Sequence, residues 1–171
     1  MTPEPEESIP PEYLKRLTTK GRRVLWKAEV EAAMLGHSTI EPEHILIAIL
    51  RSPQTAGARV LKECRIDLDA LQESLLDAIT PGESSSTGPR PLSTQGKNVL
   101  RASSLAAEKM GVRFIGTEHL LLGVLANGSS LTKGSRNATL VNFFNTSRIA
   151  MIRHRVESAY RPEKPTAARS T

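Results

Sequence analysis

The sequence is poor in cysteine and in aromatic residues. Among its 171 residues it has one cysteine, Cys64, together with three Phe, two Tyr and one Trp. One cysteine excludes an internal disulfide and a cysteine-based metal cluster within the chain. Few aromatic rings are available to stack on nucleic-acid bases. The composition therefore argues against a disulfide-stabilised scaffold and against a base-stacking protein.

The sequence also lacks a long apolar run. A membrane-spanning helix needs about 18 or more consecutive apolar residues, and no such stretch occurs. The first seven residues are acidic and rich in proline, whereas a secretory signal has a basic start and an apolar core. With 39% apolar and 24% charged residues, the composition is typical of soluble globular domains. We therefore expect a soluble, cytoplasmic protein with no membrane partner.

Recognisable catalytic and metal-binding motifs are missing as well. Neither Glu43-His44 nor Glu118-His119 has the spacing of the zinc motif HExxH, and the other histidines lie at no ligand spacing. The sequence has no GxSxG nucleophile elbow. Residues 128–134 include Gly, Ser, Thr and Lys, but not in the order of a phosphate-binding loop. We therefore expect no catalytic residue, no metal, no cofactor and no enzymatic activity.

What the sequence does contain is an internal duplication. Residues 17–50 superpose on residues 92–125 without a gap at a shift of 75 positions, with 12 identities among 34 aligned positions. The identities include a Glu-His pair and the glycines Gly36 and Gly111. Open repeat stacks usually need three or more units. Two units therefore favour a closed, pseudo-twofold pair.

Each unit is predicted to have four helices and no strand. The first helix, about Thr18–Leu35, has one apolar stripe, and Gly36 follows it where a helix end favours a left-handed residue. The second, about Pro42–Leu50, is apolar on every side, which predicts burial all round. Helices at about Thr55–Glu63 and Leu68–Ile79 complete the unit.

The second unit restarts at Ser93, and its long helix ends at Gly111. After Leu125 the copies diverge, and residues 127–137 have the composition of a flexible loop. We predict one all-α domain in which two four-helix repeats pack as a pseudo-twofold, eight-helix unit. Its segments are a disordered, acidic and proline-rich N-terminus (1–11), repeat 1 (12–79), a linker (80–91), repeat 2 (92–160) and a flexible basic tail (161–171).

The charge of the chain admits a nucleic-acid partner only as a distant alternative. The net charge is +5, and part of the excess lies near the C-terminus. Because the basic residues are not concentrated on one recognisable reading helix, nucleic-acid binding is the weakest of the binding hypotheses.

The duplicated Glu-His pair offers the main candidates for a site. His44 and His119 are predicted to be structural, either donating to a backbone carbonyl or packing beneath the next loop. A carboxylate in the first turn of a helix is favoured by the helix dipole by about 0.3–1 kcal/mol, which is sufficient to explain Glu43 or Glu118 alone. Alternatively, the two carboxylates form twin acidic pockets for a cationic group.

The duplicated pattern resembles the Clp N-terminal repeat domain, the module that precedes the ATPase rings of ClpA- and ClpC-type AAA+ unfoldases. The resemblance covers about residues 17–160, and residues 115–125 are close to the family's own signature. It implies an eight-helix domain that does no chemistry and binds substrates and adaptors. The ATPase rings are absent from this sequence. Unless the chain is a fragment, we expect a free-standing accessory or adaptor whose partners are a Clp-type AAA+ unfoldase, Clp protease subunits, adaptors or client proteins.

In ClpC-type members the family also binds phosphoarginine at two equivalent sites. Each site uses a hydroxyl residue at the start of the first helix and the Glu of the Glu-His pair; on this sequence those are Thr18 with Glu43, and Ser93 with Glu118. The carboxylate suits the guanidinium, and the helix N-terminus suits the phosphate. Glu41-Pro42 replaces the usual Gly-Thr and adds a negative charge, which makes the first site the weaker candidate. The alternative function is therefore a phosphoarginine- or peptide-binding regulator that acts away from the protease.

Overall fold

The structure is a computed structural model that describes residues 9–132 and 137–161. Within these residues the secondary structure is helical, apart from two isolated bridges. The helices are α1 Pro11–Leu14, α2 Thr19–Met34, α3 Pro42–Leu50, α4 Ala56–Glu63, α5 Leu68–Ala78, α6 Thr94–Lys109, α7 Thr117–Ala126, α8 Gly128–Thr132, α9 Ala138–Phe143 and α10 Thr146–Ser158. The prediction of an all-α fold is confirmed.

The two long helices, α2 and α6, begin and end through the same local chemistry. The side chains of Thr18 and Ser93 accept the backbone N–H of Gly21 and Gly96, respectively, and so cap the helix starts. At the other end, Gly36 and Gly111 adopt positive φ values of 71° and 74°, a conformation that costs glycine least. Local sequence therefore determines where both helices start and stop.

The two central helices, α3 and α7, lie inside the domain. Every residue of α3 except Glu43 is buried, as its apolar composition predicts. In α7 the exceptions are Glu118 and the final residue, Ala126. One partly exposed carboxylate therefore lies near the start of each buried helix.

Both units contribute to a single core. The buried side chains form one cluster that extends from Ile9 to Val156. Helix α7 of the second unit packs against α2, α3 and α4 of the first unit as well as against α6 and α10. The units therefore cannot be separated without exposing the core.

The prediction that residues 1–11 are disordered is wrong for the last residues of this segment. Ile9 is buried, with 4% of its surface exposed, and Pro11 begins α1. An apolar side chain at position 9 finds a place in the core, and proline is favoured in the first turn of a helix. Residues 1–8 lie outside the described residues.

The predicted flexible loop at 127–137 is also partly helical, because α8 covers Gly128–Thr132. Residues 133–136 lie outside the described part of the chain. With α1 and α8, the described chain has two short helices more than the eight predicted. Of the predicted tail, residues 162–171 are likewise not described.

The linker 80–91 contains no helix or strand, but it is held against the end of α2. The backbone N–H groups of Gly82 and Ser84 donate to the carbonyls of Leu35 and Gly36, each at 2.8 Å. Arg90 is buried, and its Nε donates to the carbonyl of His37 at 2.7 Å. A segment that composition alone marks as solvated is therefore anchored by backbone and guanidinium hydrogen bonds.

None of the helices in the described part of the chain combines the length and the apolar character that a membrane span needs.

Candidate functional site

The start of each long helix is joined to the Glu-His motif of the other unit. Thr18 donates its backbone N–H to the carbonyl of Ile115 at 3.0 Å, and Ile115 donates to the carbonyl of Arg16 at 2.8 Å. On the opposite side, Ile40 donates to Pro91 at 2.9 Å and accepts from Ser93 at 3.1 Å. These two short parallel bridges are related by the internal repeat.

A glycine in the first turn of each long helix permits this close approach. A Cβ at Gly96 would lie 2.6 Å from the carbonyl oxygen of Ile40, and one at Gly21 would lie 3.1 Å from that of Ile115. Because a side chain at Gly96 would collide with backbone, the bridge on that side depends on glycine.

The bridges correct the pairing implied by the family resemblance. Helix α2 has 16 residues and is therefore about 24 Å long. Thr18 lies at its start, whereas Glu43 follows its far end, so the two cannot form one small site. The same argument separates Ser93 from Glu118. The structure instead places Ser93 beside the first motif and Thr18 beside the second.

The contact at the first motif is direct. The hydroxyl of Ser93 donates to Oε2 of Glu41 at 2.7 Å and accepts the N–H of Gly96 at 3.0 Å. Thr39 donates to the other oxygen of Glu41 at 2.9 Å. The carboxylate of Glu41, which the sequence analysis considered only as an added negative charge, therefore makes a direct side-chain contact between the two units.

His44 and His119 have the same role at the starts of α3 and α7. The Nδ1 atom of His44 accepts the N–H of Glu41 at 2.8 Å, and that of His119 accepts the N–H of Gly116 at 2.9 Å. The predicted donation to a backbone carbonyl is therefore replaced by acceptance from a backbone N–H. Both rings are fully buried, and burial lowers the pKa of His44 to about 3 and lowers the pKa of His119.

In the first unit, a second histidine continues this arrangement. Since Nδ1 of His44 is an acceptor, its proton is on Nε2, which lies 2.7 Å from Nδ1 of His37. The Nε2 of His37 then donates to the carbonyl of Thr80 at 2.8 Å. This chain of hydrogen bonds connects the Glu-His motif to the linker. His37 aligns with Val112 in the second unit, so that unit has no equivalent chain.

In the second unit, Tyr160 covers the carboxylate. Its hydroxyl donates to Oε1 of Glu118, and its ring contacts His119 and Phe114, with centroid separations of 5.3 and 6.3 Å. Burial and this carboxylate together raise the pKa of Tyr160. Among the described residues, Nε2 of His119 has no hydrogen-bond partner. Glu118 is therefore already occupied by a group of the same chain.

Glu43, by contrast, faces a cavity. The cavity has a volume of about 340 Å³, and its other lining residues are His37, Leu75, Ala78, Ile79, Thr80, Leu131 and Leu140. Burial raises the pKa of the Glu43 carboxyl, and the nearby charge of Glu41 adds to the rise. A carboxylate that is largely buried is poorly solvated and is stabilised by a cationic partner.

The two predicted sites are therefore unequal. Sequence reasoning expected the first site to be the weaker, but its Glu43 is open to a cavity while Glu118 is bound by Tyr160. His37, Glu41 and Tyr160 were not predicted as site residues. The sequence did contain a signal for His37 and Glu41. Each is a polar residue at a position where the other unit has a residue that is not polar.

The described residues offer no obvious place for a metal ion. They contain no group of three or more His, Cys, Asp or Glu side chains in a suitable arrangement.

Comparison with known proteins identifies sequence relatives of residues 16–136, the part of the chain that contains both Glu-His pairs. The sequence model of the Clp repeat (R) N-terminal domain matches residues 16–136. The ATP-binding subunit ClpC of Staphylococcus aureus (strain USA300) is 36% identical over 110 residues, which cover 64% of this chain and 13% of ClpC. The matched part is thus a small fraction of that relative's length.

Solved structures show the same fold. The N-terminal domain of the ClpV1 ATPase from the Sci1 type VI secretion system of E. coli EAEC has a TM-score of 0.64 at 24% identity, over 93% of this chain and 96% of that one. A ClpV N-domain in complex with a VipB peptide has a TM-score of 0.57 at 19% identity, over 85% and 91% of the two chains.

Proposed function

The chain belongs to the Clp repeat N-terminal domain family, and from this premise we propose that it is a non-enzymatic, protein-binding accessory or adaptor of a Clp chaperone or protease system. It binds client proteins, adaptors or the Clp unfoldase through its surface. The family relationship supports the class of function, and a ClpV N-domain with this fold binds a VipB peptide.

The observation that carries the proposal is an apolar face on α2. Trp26, Val30 and Met34 follow one another at a spacing of four residues, and 41%, 38% and 72% of their respective surfaces are exposed. Residues four apart lie on the same side of a helix. Contiguous apolar groups on a soluble protein commonly mark a protein-binding site. We name this surface, formed by Trp26, Val30 and Met34, the α2 face.

The second unit does not repeat the α2 face. The positions that align with Trp26 and Met34 are Arg101 and Lys109, and Leu105 aligns with Val30. The position of this helix in the repeat therefore does not by itself require an apolar face, and the face gives the domain one binding side.

An affinity pull-down from an extract of the source organism, with ATP present, tests the proposal. We expect Clp ATPase subunits, Clp protease subunits or their adaptors among the captured proteins identified by mass spectrometry. A Trp26→Ser, Met34→Ser variant should lose them. A Val141→Ser, Met151→Ser variant is the matched control, because both of its side chains are 44% exposed on other helices. Equal capture by all three proteins would show that the α2 face is not the binding surface.

A second candidate function is supported by the cavity at Glu43. This site combines a poorly solvated carboxylate with polar and aliphatic lining residues and lies next to Glu41. Two neighbouring carboxylates suit a guanidinium group, while they repel a phosphate. We therefore propose, as the alternative, a peptide-binding regulator that holds an arginine side chain at Glu43. The phosphoarginine variant of this hypothesis is disfavoured at both sites, because Glu41 binds Ser93 and Tyr160 binds Glu118.

Titration calorimetry with an arginine-containing peptide and its phosphoarginine counterpart distinguishes arginine binding from phosphoarginine binding. We expect heat only with the unphosphorylated peptide, and we expect it to disappear in Glu43→Gln. Binding of the phosphoarginine peptide that is lost in Glu118→Gln would instead support the site implied by the family. Absence of heat with both peptides would remove the second candidate.

A further inference from the structure

The two units of the repeat differ at the junction between their long helix and their central helix. In the first unit, a polar cluster covers the junction of α2 and α3. NH1 of Arg51 binds Oε1 of Glu31 at 2.6 Å, and Nζ of Lys27 donates to Oγ of Ser52 at 2.8 Å. Glu31 is buried. The long side chains of Lys27, Glu31 and Arg51 therefore fill this junction.

In the second unit all three of these positions are alanine. Lys27, Glu31 and Arg51 align with Ala102, Ala106 and Ala126. The equivalent junction, between α6 and α7, contains a cavity of about 280 Å³ that is closed on a third side by α10. Besides the three alanines, its walls include Leu105, Met110 and Leu122. Replacement of three long polar side chains by methyl groups accounts for the space.

The walls of this alanine cavity are largely apolar. Leu105 is 51% exposed at its edge, whereas Leu122 is 5% exposed and belongs to the core. A cavity of about 150 Å³ can hold a benzene molecule, so this one has room for a leucine- or phenylalanine-sized side chain. Apolar side chains gain free energy when they leave water for such a site.

The edge of the alanine cavity is predominantly basic. Lys109 and Arg153 line it together with one acidic residue, Glu157. Arg101 is exposed one turn before Leu105 on α6. The carboxylate of the neighbouring Glu108 is bound by Arg16 at 3.1 Å. The surroundings of the cavity therefore favour a partner with negative charge next to its apolar group.

We propose that the alanine cavity between α6, α7 and α10 binds an aliphatic side chain of an acidic peptide segment. Large-to-alanine replacement at Ala102, Ala106 and Ala126 provides the space, and Lys109 and Arg153 select the acidic flanks. This inference rests on the proposed protein-binding function and adds a second surface, distinct from the α2 face.

Fluorescence anisotropy with a labelled Gly-Asp-Glu-Leu-Leu-Asp-Glu-Gly peptide tests the site. The wild-type chain should bind it saturably. A peptide with serine in place of both leucines, and one with Asn and Gln in place of the acids, should each bind about tenfold more weakly. Equal affinity for all three peptides, or no binding of the first, would overturn the proposal.

A variant that copies residues of the first unit into the second tests the alanine cavity directly. Ala102→Lys, Ala106→Glu, Ala126→Arg rebuilds in the second unit the cluster that the first unit already accommodates. It should bind the peptide about tenfold more weakly or worse, and a thermal melt shows whether it folds. If this triple variant does not fold, the variant Lys109→Glu, Arg153→Glu tests the site instead. Both positions are exposed, so the substitutions should not disturb folding. Charge reversal should abolish binding of the acidic peptide. Unchanged affinity in a folded variant would contradict the proposal.

Failure of this inference is distinguishable from failure of the proposed function. The α2-face variant Trp26→Ser, Met34→Ser should retain peptide binding, since its substitutions lie on another helix. If the wild-type chain captures Clp subunits but does not bind the peptide, the alanine cavity is not a peptide site and the adaptor function stands.

Discussion

His44 and His119 fix the starts of the two central helices through the same ring nitrogen. Each Nδ1 accepts a backbone N–H three residues earlier in the chain, which is the position where a Glu or Gln side chain closes a capping box. The neutral ring is required, because a protonated Nδ1 could not accept. These residues therefore connect the stability of the domain to pH.

We expect stability to fall as the pH is lowered from about 6.5 towards 3, because the pKa of His44 is near 3 in the folded chain and 6.5 is its ordinary value. In that range the unfolded chain gains a proton that the folded chain does not bind. The His44→Gln variant keeps a capping acceptor and cannot titrate, so its unfolding free energy should depend less on pH. Urea unfolding between pH 4 and 7 measures this, with the exposed His154→Gln as control. A slope in His44→Gln equal to that of the wild type would contradict the role assigned to His44.

Glu43 affects the pH dependence of stability in the opposite direction to His44. Burial raises its pKa above the ordinary value of 4.5, so the charged form opposes folding at neutral pH and the cost disappears once both states are protonated. Glu43→Gln should therefore raise the melting temperature at pH 7, and the gain should vanish below about pH 4.5. The exposed Glu73→Gln is the control for this substitution. A lower melting temperature of Glu43→Gln at pH 7 would show that the carboxylate is held by favourable contacts.

At the scale of the elements, the ends of the long helices are set by single residues. Gly36 and Gly111 have nearly the same positive φ, but their surroundings differ. A Cβ on Gly36 would lie 2.4 Å from the carbonyl oxygen of Gly82, whereas one on Gly111 would meet nothing within 4 Å. The helix end in the first unit therefore also anchors the linker.

Substitution of these two glycines separates backbone strain from linker packing. Gly111→Ala should lower the unfolding free energy by about 1–2 kcal/mol, the cost of a left-handed conformation for an L-residue. Gly36→Ala should cost more, because the linker must also move away from α2. Equal losses in chemical denaturation would indicate that the linker contributes nothing at this contact.

Most of the helices could be predicted from the sequence, but the contacts between distant residues could not. Helices α2, α3 and α6 follow from apolar spacing together with the caps Thr18 and Ser93, which are local signals. The pairing of the Glu-His motif with the other unit depends on how the two units pack, and the sequence shift only shows that they are alike. Tyr160 bound to Glu118 lies 42 residues away in the chain, and no local pattern predicts such a contact.

For the molecule as a whole, the duplicated chain forms one core but two different surfaces. The first unit has the apolar α2 face and the open Glu43 cavity, while the second has the alanine cavity and a covered Glu118. Several residues that differ between the units, such as Trp26 and its counterpart Arg101, lie on the surface, where a partner can reach them. A protein-binding domain with more than one contact surface is the function that fits this division.

Binding of the purified chain to the purified Clp unfoldase of the same organism, measured by biolayer interferometry with ATP present, is the first test of the proposed adaptor function. We expect saturable binding by the wild-type chain, strong loss of binding in Trp26→Ser, Met34→Ser, and full binding by the Val141→Ser, Met151→Ser control. Absence of binding by the wild-type chain to the unfoldase, to the protease subunits and to their adaptors would contradict this function.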